Sequence, residues 1–406
     1  MFGAFSRKIN TDPSEIENLL SRGVEEVFVK DSLYKKLISG KPLRVKLGFD
    51  PTGSKIHIGR AIILRKLKVF QDLGHTAVFI VGDFTAAIGD PSDKLEKRPT
   101  LGREEIEKNL KDYKTQIGKI INLDKTEFHY NSKWLRKLTF EKAVELAESF
   151  SVQQMSARRN FKDRFEKGEE VSLREFLYPL MQGYDSVEVR ADVEIGGFDQ
   201  LFNLKAGRIV QRHYGQKEQD ILTTTMLEGT DGRKMSTSLG NVINITDEPE
   251  DMFGKVMSVQ DSLMEQYFLL ATNMPLSEIH SIKESLKESV VNPRDIKLRL
   301  ARTIVTLYHG AQKAEKAEKH FINVFSKGGV PEDVLEVNVS PNTLLVDILI
   351  TQNIVSSKSE FARLILEKAI TKMHPQGDIK IINGAAPALN GVYKIGKRRF
   401  IKVVVR

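Results

Sequence analysis

Residues Leu43 to Val81 restrict what this 406-residue chain can fold into more than any other stretch. Leu43 to Phe49 alternates into an apolar strand, Asp50-Pro51-Thr52-Gly53-Ser54 is a turn cluster, and Ile58 to Leu73 carries a helical period that stops before Gly74. Thr76 to Val81 is then a second apolar, β-branched run. Strand, turn, helix and strand within about 40 residues make a βαβ unit, which implies a parallel sheet with its ligand outside the carboxyl ends of the strands.

Further alternating segments continue to about Asn244, so residues 1–245 are expected to form one α/β domain. Glu250 to Phe325 lacks strand signals and shows amphipathic periods, including Asp295 to Tyr308 and Ala311 to Phe325; residues 246–330 are expected to be a helical domain. Gly328-Gly329 leads into a stretch expected to be a linker, 331–341. Residues 342–406 then read as helix, helix and strands, with Asn383-Gly384 and Asn390-Gly391 turns.

Charge sets the last segment apart. Pro341 to Arg406 holds eleven Lys and Arg against four Asp and Glu, which is +7 of the chain's net +8. A basic terminal module suggests a polyanionic partner, nucleic acid ahead of membrane because no amphipathic anchor accompanies it, or else a merely solvated basic surface. The absence of cysteine excludes disulfides and thiol nucleophiles, and eight scattered histidines without HExxH spacing give no reason to expect a protein-held metal. No run of about 18 apolar residues exists, and Met1 to Asp12 lacks a secretory pattern, so a soluble protein of the cytoplasm is expected.

Two segments carry phosphate chemistry. Asp50-Pro51-Thr52-Gly53 followed by His57-Ile58-Gly59-Arg60 sits at the strand-to-helix junction, where backbone N–H groups and the helix dipole favour an anion. By itself it reads equally well as a capping turn. Lys234-Met235-Ser236-Thr237-Ser238, after Asp231-Gly232-Arg233, makes a cationic loop between glycines, suited to phosphates that become more negative during reaction. Together, about 175 residues apart, the pair resembles the HIGH and KMSKS signatures of class I aminoacyl-tRNA synthetases. No GxGxxG or GxxxxGK[ST] fingerprint competes for the nucleotide.

A third segment points to the amino acid. Tyr178-Pro179-Leu180-Met181-Gln182-Gly183-Tyr184-Asp185 resembles the pocket helix of tyrosyl-tRNA synthetases, and Ile195 to Asn203 resembles the loop that follows it. At a period of 3.6, Tyr178, Gln182 and Asp185 share one helix face. Gly82 to Ser92, containing Asp90, is also similar to that family. The resemblance, covering about Leu33 to Arg406, implies a Rossmann-like catalytic domain, an α-helical anticodon-binding domain and a small α+β RNA-binding domain of the ribosomal small-subunit protein four type. It implies tyrosine activation by ATP with Mg²⁺, transfer to tRNA(Tyr), and a homodimer.

Residue by residue, the resemblance implies that Tyr178, Gln182 and Asp90 bind the α-amino group and that Asp185 accepts the phenolic hydrogen, with Asp50 and Gln200 also on the substrate side. Gly48, Thr52, His57, Gly59, Gly197, Asp199 and Lys234 are implied at ATP. His57, Arg60, Lys234, Ser236 and Ser238, with Lys94 and Arg98 near the leaving pyrophosphate, are implied in the reaction. In the terminal module, Lys358, Arg363, Lys397, Arg398 and Arg399 are the RNA-binding candidates.

Two positions depart from the family pattern. Many members have a tyrosine four residues before the aspartate of the DPT turn, where it helps bind the substrate hydroxyl; here that residue is Lys46. Arg60 stands where HIGH has its second histidine, and a guanidinium differs from imidazole in size and donor geometry. Two alternatives remain at this level: a tryptophanyl enzyme, against which the Tyr178/Gln182/Asp185 set favours a phenol, and a synthetase-derived RNA-binding protein without catalysis, against which the KMSTS loop stands.

Overall fold

The computed structural model describes residues 9–91, 102–288, 290–326, 334–374, 379–385, 387–396 and 399–406. Two compact units emerge, one of residues 1–247 with 258–296 and one of 248–257 with 297–406. Residues 258–296, expected within a separate helical domain, therefore pack with the α/β unit.

The first unit is built on six strands: β1 (Val24–Phe28), β2 (Arg44–Phe49), β3 (Thr76–Val81), β4 (Thr126–Tyr130), β5 (Val193–Gly197) and β6 (Asp220–Thr224). Their order is β1-β6-β5-β2-β3-β4, all parallel except the antiparallel edge strand β1. Every residue of β5 and β6 is buried, as expected for a parallel sheet covered on both faces. From β2 the chain winds outward through β3 to β4, then returns to β5 on the other side of β2. That reversal places a crevice outside the ends of β2 and β5.

Two helices matter most to the crevice. Ile58–Asp72 follows β2 and is capped by the His57 side chain, which accepts from Arg60 N–H. Leu173–Glu188 opens with a Ser172/Glu175 capping box and packs on Leu201–His213. Gly183 permits that packing, because a Cβ there would lie 2.7 Å from Val210 Cγ2.

In the second unit, helices Pro249–Met257 and Ala311–Ser326 pack together, with the Phe253 and Phe321 rings 5.5 Å apart. Farther along the chain come β7 (Glu336–Val339), helices Leu345–Thr351 and Lys358–Leu366, then β8 (Ile370–Lys372), β9 (Ile379–Lys380), β10 (Gly391–Ile395) and β11 (Arg399–Val405). These strands form a sheet in the order β7-β11-β10-β8-β9. Its core of Leu349, Val355, Ile370, Ile395 and Ile401 is closed by side chains of this module alone. One sequence expectation needs correction here: β7 lies inside the 331–341 stretch read as linker and pairs in parallel with β11. Four residues of alternating exposure were too short to register as a strand. Among the described residues, no helix is long and apolar enough to cross a membrane.

Candidate active site

The ends of β2 and β5 open into a cavity of about 590 Å³. Its lining brings together, from five separate segments, Gly48, Asp50, Thr52, His57, Gly59 and Arg60; Asp90; Tyr178, Gln182 and Asp185; Gly197, Asp199 and Gln200; and Lys234 with Ser236. Lys94 and Arg98 lie outside the described residues, as do Lys397 and Arg398 and the side chain of Ser238.

The buried part of the cavity is polar and closely bonded. Asp185, 4% exposed, accepts from Trp134 Nε1–H at 2.7 Å and from Asn131 Nδ2 at 3.2 Å. Burial pushes its carboxyl up to about 7, against the opposing pull of Lys46 and of those two donors. Tyr178 donates its hydroxyl proton to Asp50 Oδ2 at 2.8 Å, and Thr85 donates to Asp50 Oδ1 at 2.7 Å. Gly82 makes room for that carboxylate, since a Cβ there would lie 2.0 Å from Asp50 Oδ1. Gln182 Nε2 donates to Glu194 Oε1 at 3.1 Å. Asp90 accepts from Gln200 Nε2 at 2.7 Å and from Asn203 Nδ2 at 3.3 Å.

Tyr178 and Gln182 each donate a proton, to Asp50 and Glu194 respectively, and their oxygens and the Asp90 carboxylate are acceptor atoms on residues lining the same cavity. Acceptors are what a ligand ammonium requires, and a buried carboxylate such as Asp185 is what a ligand hydroxyl requires.

At the phosphate-type segments, His57 is held neutral. Burial, with Arg60 next, lowers it to about 3, and Nδ1 accepts from Arg60 N–H, which leaves Nε2 as the donor. Arg60 donates to Thr52 Oγ1 at 2.7 Å and Tyr113 Oη at 3.1 Å, bracing the DPTG turn. In this arrangement its guanidinium therefore serves the turn as well as the cavity. Gly59 allows Met235 to approach, its absent Cβ being 3.2 Å from Met235 Sδ. The loop is shaped by Asn241, which accepts from Ser236 N–H at 2.8 Å and donates to Asp231 at 2.8 Å and to Lys234 O at 3.1 Å. The Asn241 bond, ahead of Arg233, holds Asp231 down at about 2. Lys234 itself is exposed, its Nζ 3.8 Å from Asp199.

Several residues were not found by sequence reasoning. Trp134 and Asn131 grip Asp185, and their only signal was that Trp134 is the sole tryptophan of the chain. Glu194 anchors Gln182 from β5, where its carboxylate interrupts an otherwise apolar buried strand. The Ile195–Asn203 segment, expected as a loop, in fact runs from β5 through a turn into helix Leu201–His213. In the terminal module Lys358 and Arg363 are exposed on one helix, whereas Arg399 is engaged with Glu360 at 2.9 Å. Among the described residues no group of three or more His, Asp or Glu side chains is placed to hold a metal ion.

Residues 39–326 match the family described as tRNA synthetases class I (W and Y). A tyrosine–tRNA ligase of Carboxydothermus hydrogenoformans is 44% identical over 95% of this chain and 97% of its own length. One from Thermotoga maritima is 42% identical over 96% and 98%. A C-terminally truncated Aspergillus nidulans mitochondrial tyrosyl-tRNA synthetase superposes with a TM-score of 0.62, at 22% identity, over 77% of this chain and 94% of that one, a likeness of fold.

Proposed function

The chain belongs to the tyrosine–tRNA ligases within the class I tRNA synthetases, and on that premise we propose how its residues divide the work. It activates tyrosine with ATP and transfers the tyrosyl group to tRNA. The observation that carries the residue assignment is the pairing of a fully buried carboxylate, Asp185, with three acceptors for an ammonium in the same cavity. Asp185 takes the phenolic hydrogen; Tyr178, Gln182 and Asp90 take the α-ammonium, with Asp50 and Gln200 holding Tyr178 and Asp90 in place.

The tyrosine carboxylate then attacks the α-phosphorus of ATP in line. A carboxyl oxygen–phosphorus bond forms as the bond to the bridging oxygen of pyrophosphate breaks. No protein nucleophile is required, because positioning and charge stabilisation dominate such transfers. His57 donates through Nε2, Lys234 and the hydroxyls of Ser236 and Ser238 meet oxygens that gain charge, and Lys94 and Arg98 meet the departing pyrophosphate. Gly48, Thr52, Gly59, Gly197 and Asp199 form the nucleotide's seat, and Arg60 secures its floor through Thr52. Magnesium would enter with the triphosphate, since it favours phosphate oxygens over an all-protein cage, and would there supply positive charge to the leaving group. In the second step a terminal ribose hydroxyl of the tRNA attacks the activated carbonyl and releases AMP.

The basic module, with Lys358 and Arg363 exposed, supplies phosphate contacts to the tRNA. The helical residues between the catalytic unit and that module read the anticodon, and the compartment is the cytoplasm. A homodimer is supported by exposed apolar side chains on two packed helices, Phe140 and Val144 on Phe140–Ala147 and Leu173 and Leu177 on Leu173–Glu188, Phe140 being 86% and Leu173 81% exposed. ATP–pyrophosphate exchange with each of the twenty amino acids tests the reading: tyrosine alone should support it, and exchange with tryptophan instead would overturn the pocket assignment. Sedimentation of the full chain tests the dimer.

A further inference from the structure

Lys46 stands where much of the family has a tyrosine, and it is wholly buried. Its Nζ lies 2.9 Å from Glu194 Oε1 and donates to Gln182 O at 2.8 Å and to Ser186 Oγ at 2.7 Å. Lys46 on β2 and Glu194 on β5 are direct neighbours in the parallel register at the point where the sheet reverses direction. Glu194 in turn accepts from Gln182 Nε2, from Ser186 Oγ at 3.1 Å and from Gln219 Nε2. The side chains of Lys46, Glu194, Gln182, Ser186 and Gln219, five in all, are thus joined beneath the cavity, and the Lys46 ammonium is committed to this network.

A buried ion pair is a poor way to gain stability, because desolvating both charges offsets their attraction and apolar residues of similar volume do as well. Its placement here has another use. Asp185, one turn from Gln182 on the same helix, is a second buried carboxylate close to Glu194, and two neighbouring carboxylates without a cation would hold a proton between them.

We propose that Lys46, through its pairing with Glu194, is a specificity-determining positioning residue: it keeps Asp185 ionised as the acceptor for a phenolic hydroxyl and, by fixing Glu194, presents Gln182 to the substrate ammonium. This rests on the assignment of Asp185 to the phenol. The groups facing Asp185 are Lys46 and Glu194 from the sheet, Asn131 and Trp134 from the segment after β4, and His129 behind the Trp134 ring at 5.9 Å. Asp50 lies farther along, through Thr85 and Asn131. Of these, Lys46 favours the ionised form of Asp185 and Glu194 opposes it. His57 stays neutral down to about 3 and does not titrate where Asp185 does.

The test is kcat/KM for tyrosine in pyrophosphate exchange by the full chain, across pH about 5.5 to 9, with phenylalanine as the competing substrate; this parameter reports the free enzyme. In the wild type the acid limb should lie near about 7. Lys46→Met should move it up by about one unit and lower the tyrosine preference over phenylalanine at neutral pH at least tenfold. Glu194→Gln should move it down. A merely structural role would lower the amplitude and leave the limb in place. If Lys46→Met does not fold, the Glu194→Gln direction decides alone. An unmoved limb in the folded variants, or an upward shift in Glu194→Gln, overturns the proposal. Asp185→Asn separates this from the parent reading: if it keeps both limb and tyrosine preference, the phenol assignment is wrong, whereas if it loses them while the other variants leave the limb unmoved, only the role of Lys46 falls.

Discussion

The two sheets of this chain handle charge in opposite ways. Beneath the six-stranded sheet's crevice, Lys46, Asp185 and Glu194 are each under 5% exposed, and every one is bonded to a neighbour from another segment. The five-stranded sheet of the terminal module has an apolar core, and the described lysines and arginines of the module lie outside it. Buried charge is expensive unless matched, so a pocket that uses it can be selective; exposed charge costs little and is screened by salt, so it suits a long polyanion. On the proposed function, the same residue types would serve discrimination in one place and affinity in the other.

The largest effect expected from that contrast is at Asp185. Asp185→Ala should reduce kcat/KM for tyrosine by roughly three to four orders of magnitude, because it removes the buried acceptor assigned to the hydroxyl. Stability should respond in the opposite direction. The folded-state value of about 7 lies above the unfolded 3.8, so the ionised carboxylate is a liability that grows as pH rises between the two. Asp185→Asn should therefore melt higher than wild type, with an advantage larger at pH 8 than at pH 5 by roughly 2 kcal/mol. Melting of both proteins across pH checks this; a pH-independent difference would place the titration elsewhere.

Next in size is Lys234. Its exposed ammonium, on a loop held by Asn241, is expected to meet phosphate oxygens chiefly as they gain charge. Lys234→Ala should slow single-turnover adenylate formation by about 2 to 4 kcal/mol while tyrosine affinity stays near wild type. An unchanged rate would remove the loop from the chemistry.

Removing the module gives a smaller and more specific effect. Its core is its own and β7 belongs to it, so the chain should be ended after Ser326 rather than within 336–339. The shortened protein should keep pyrophosphate exchange, while the KM for tRNA rises by roughly one to two orders of magnitude and its salt dependence flattens. Equal charging by both proteins across a salt series would deny the module any RNA contact; loss of exchange would make it part of the catalytic fold.

What could be read from the sequence follows the same division. The βαβ unit was visible because Ile58–Asp72 and Thr76–Val81 have strong periods bounded by Gly74 and the DPTG turn. The pocket helix was visible because Tyr178, Gln182 and Asp185 fall on one face. Asn131, Trp134 and Glu194 were not, because they reach Asp185 and Gln182 only after β4 and β5 are aligned, and no local pattern encodes that register. Helices 258–296 joined the first unit for a comparable reason: Arg22 donates to the carbonyls of Leu269, Thr272 and Met274, a long-range cap with no sequence signature.

The smallest effect is expected at Arg399, and it marks the boundary between charges that hold the module together and charges proposed to face RNA. Arg399 donates to Glu360 at 2.9 Å and to Ile354 O, yet its side chain is still 40% exposed. Glu360 is held at about 2, first by the Ser356 backbone N–H, then by the Ser356 hydroxyl, and only then by Arg399. Removing the guanidinium thus leaves most of the carboxylate's support in place, and exposed pairs are screened. Arg399→Gln should cost under about 1 kcal/mol at neutral pH. Because the folded value lies below the unfolded 4.5, that contribution is present above about 4.5 and disappears as pH falls toward 2. Toward tRNA, Lys358→Gln and Arg363→Gln, on the exposed side of their helix, should each lower the slope of log affinity against log salt by about one. Arg399→Gln should change it by clearly less, since its guanidinium is already shared with Glu360 and Ile354. Melting and tRNA titration of the three variants decide the matter: a full unit lost from the salt slope in Arg399→Gln would make it a phosphate contact like the other two, and unchanged slopes in Lys358→Gln and Arg363→Gln would move the RNA surface off that helix.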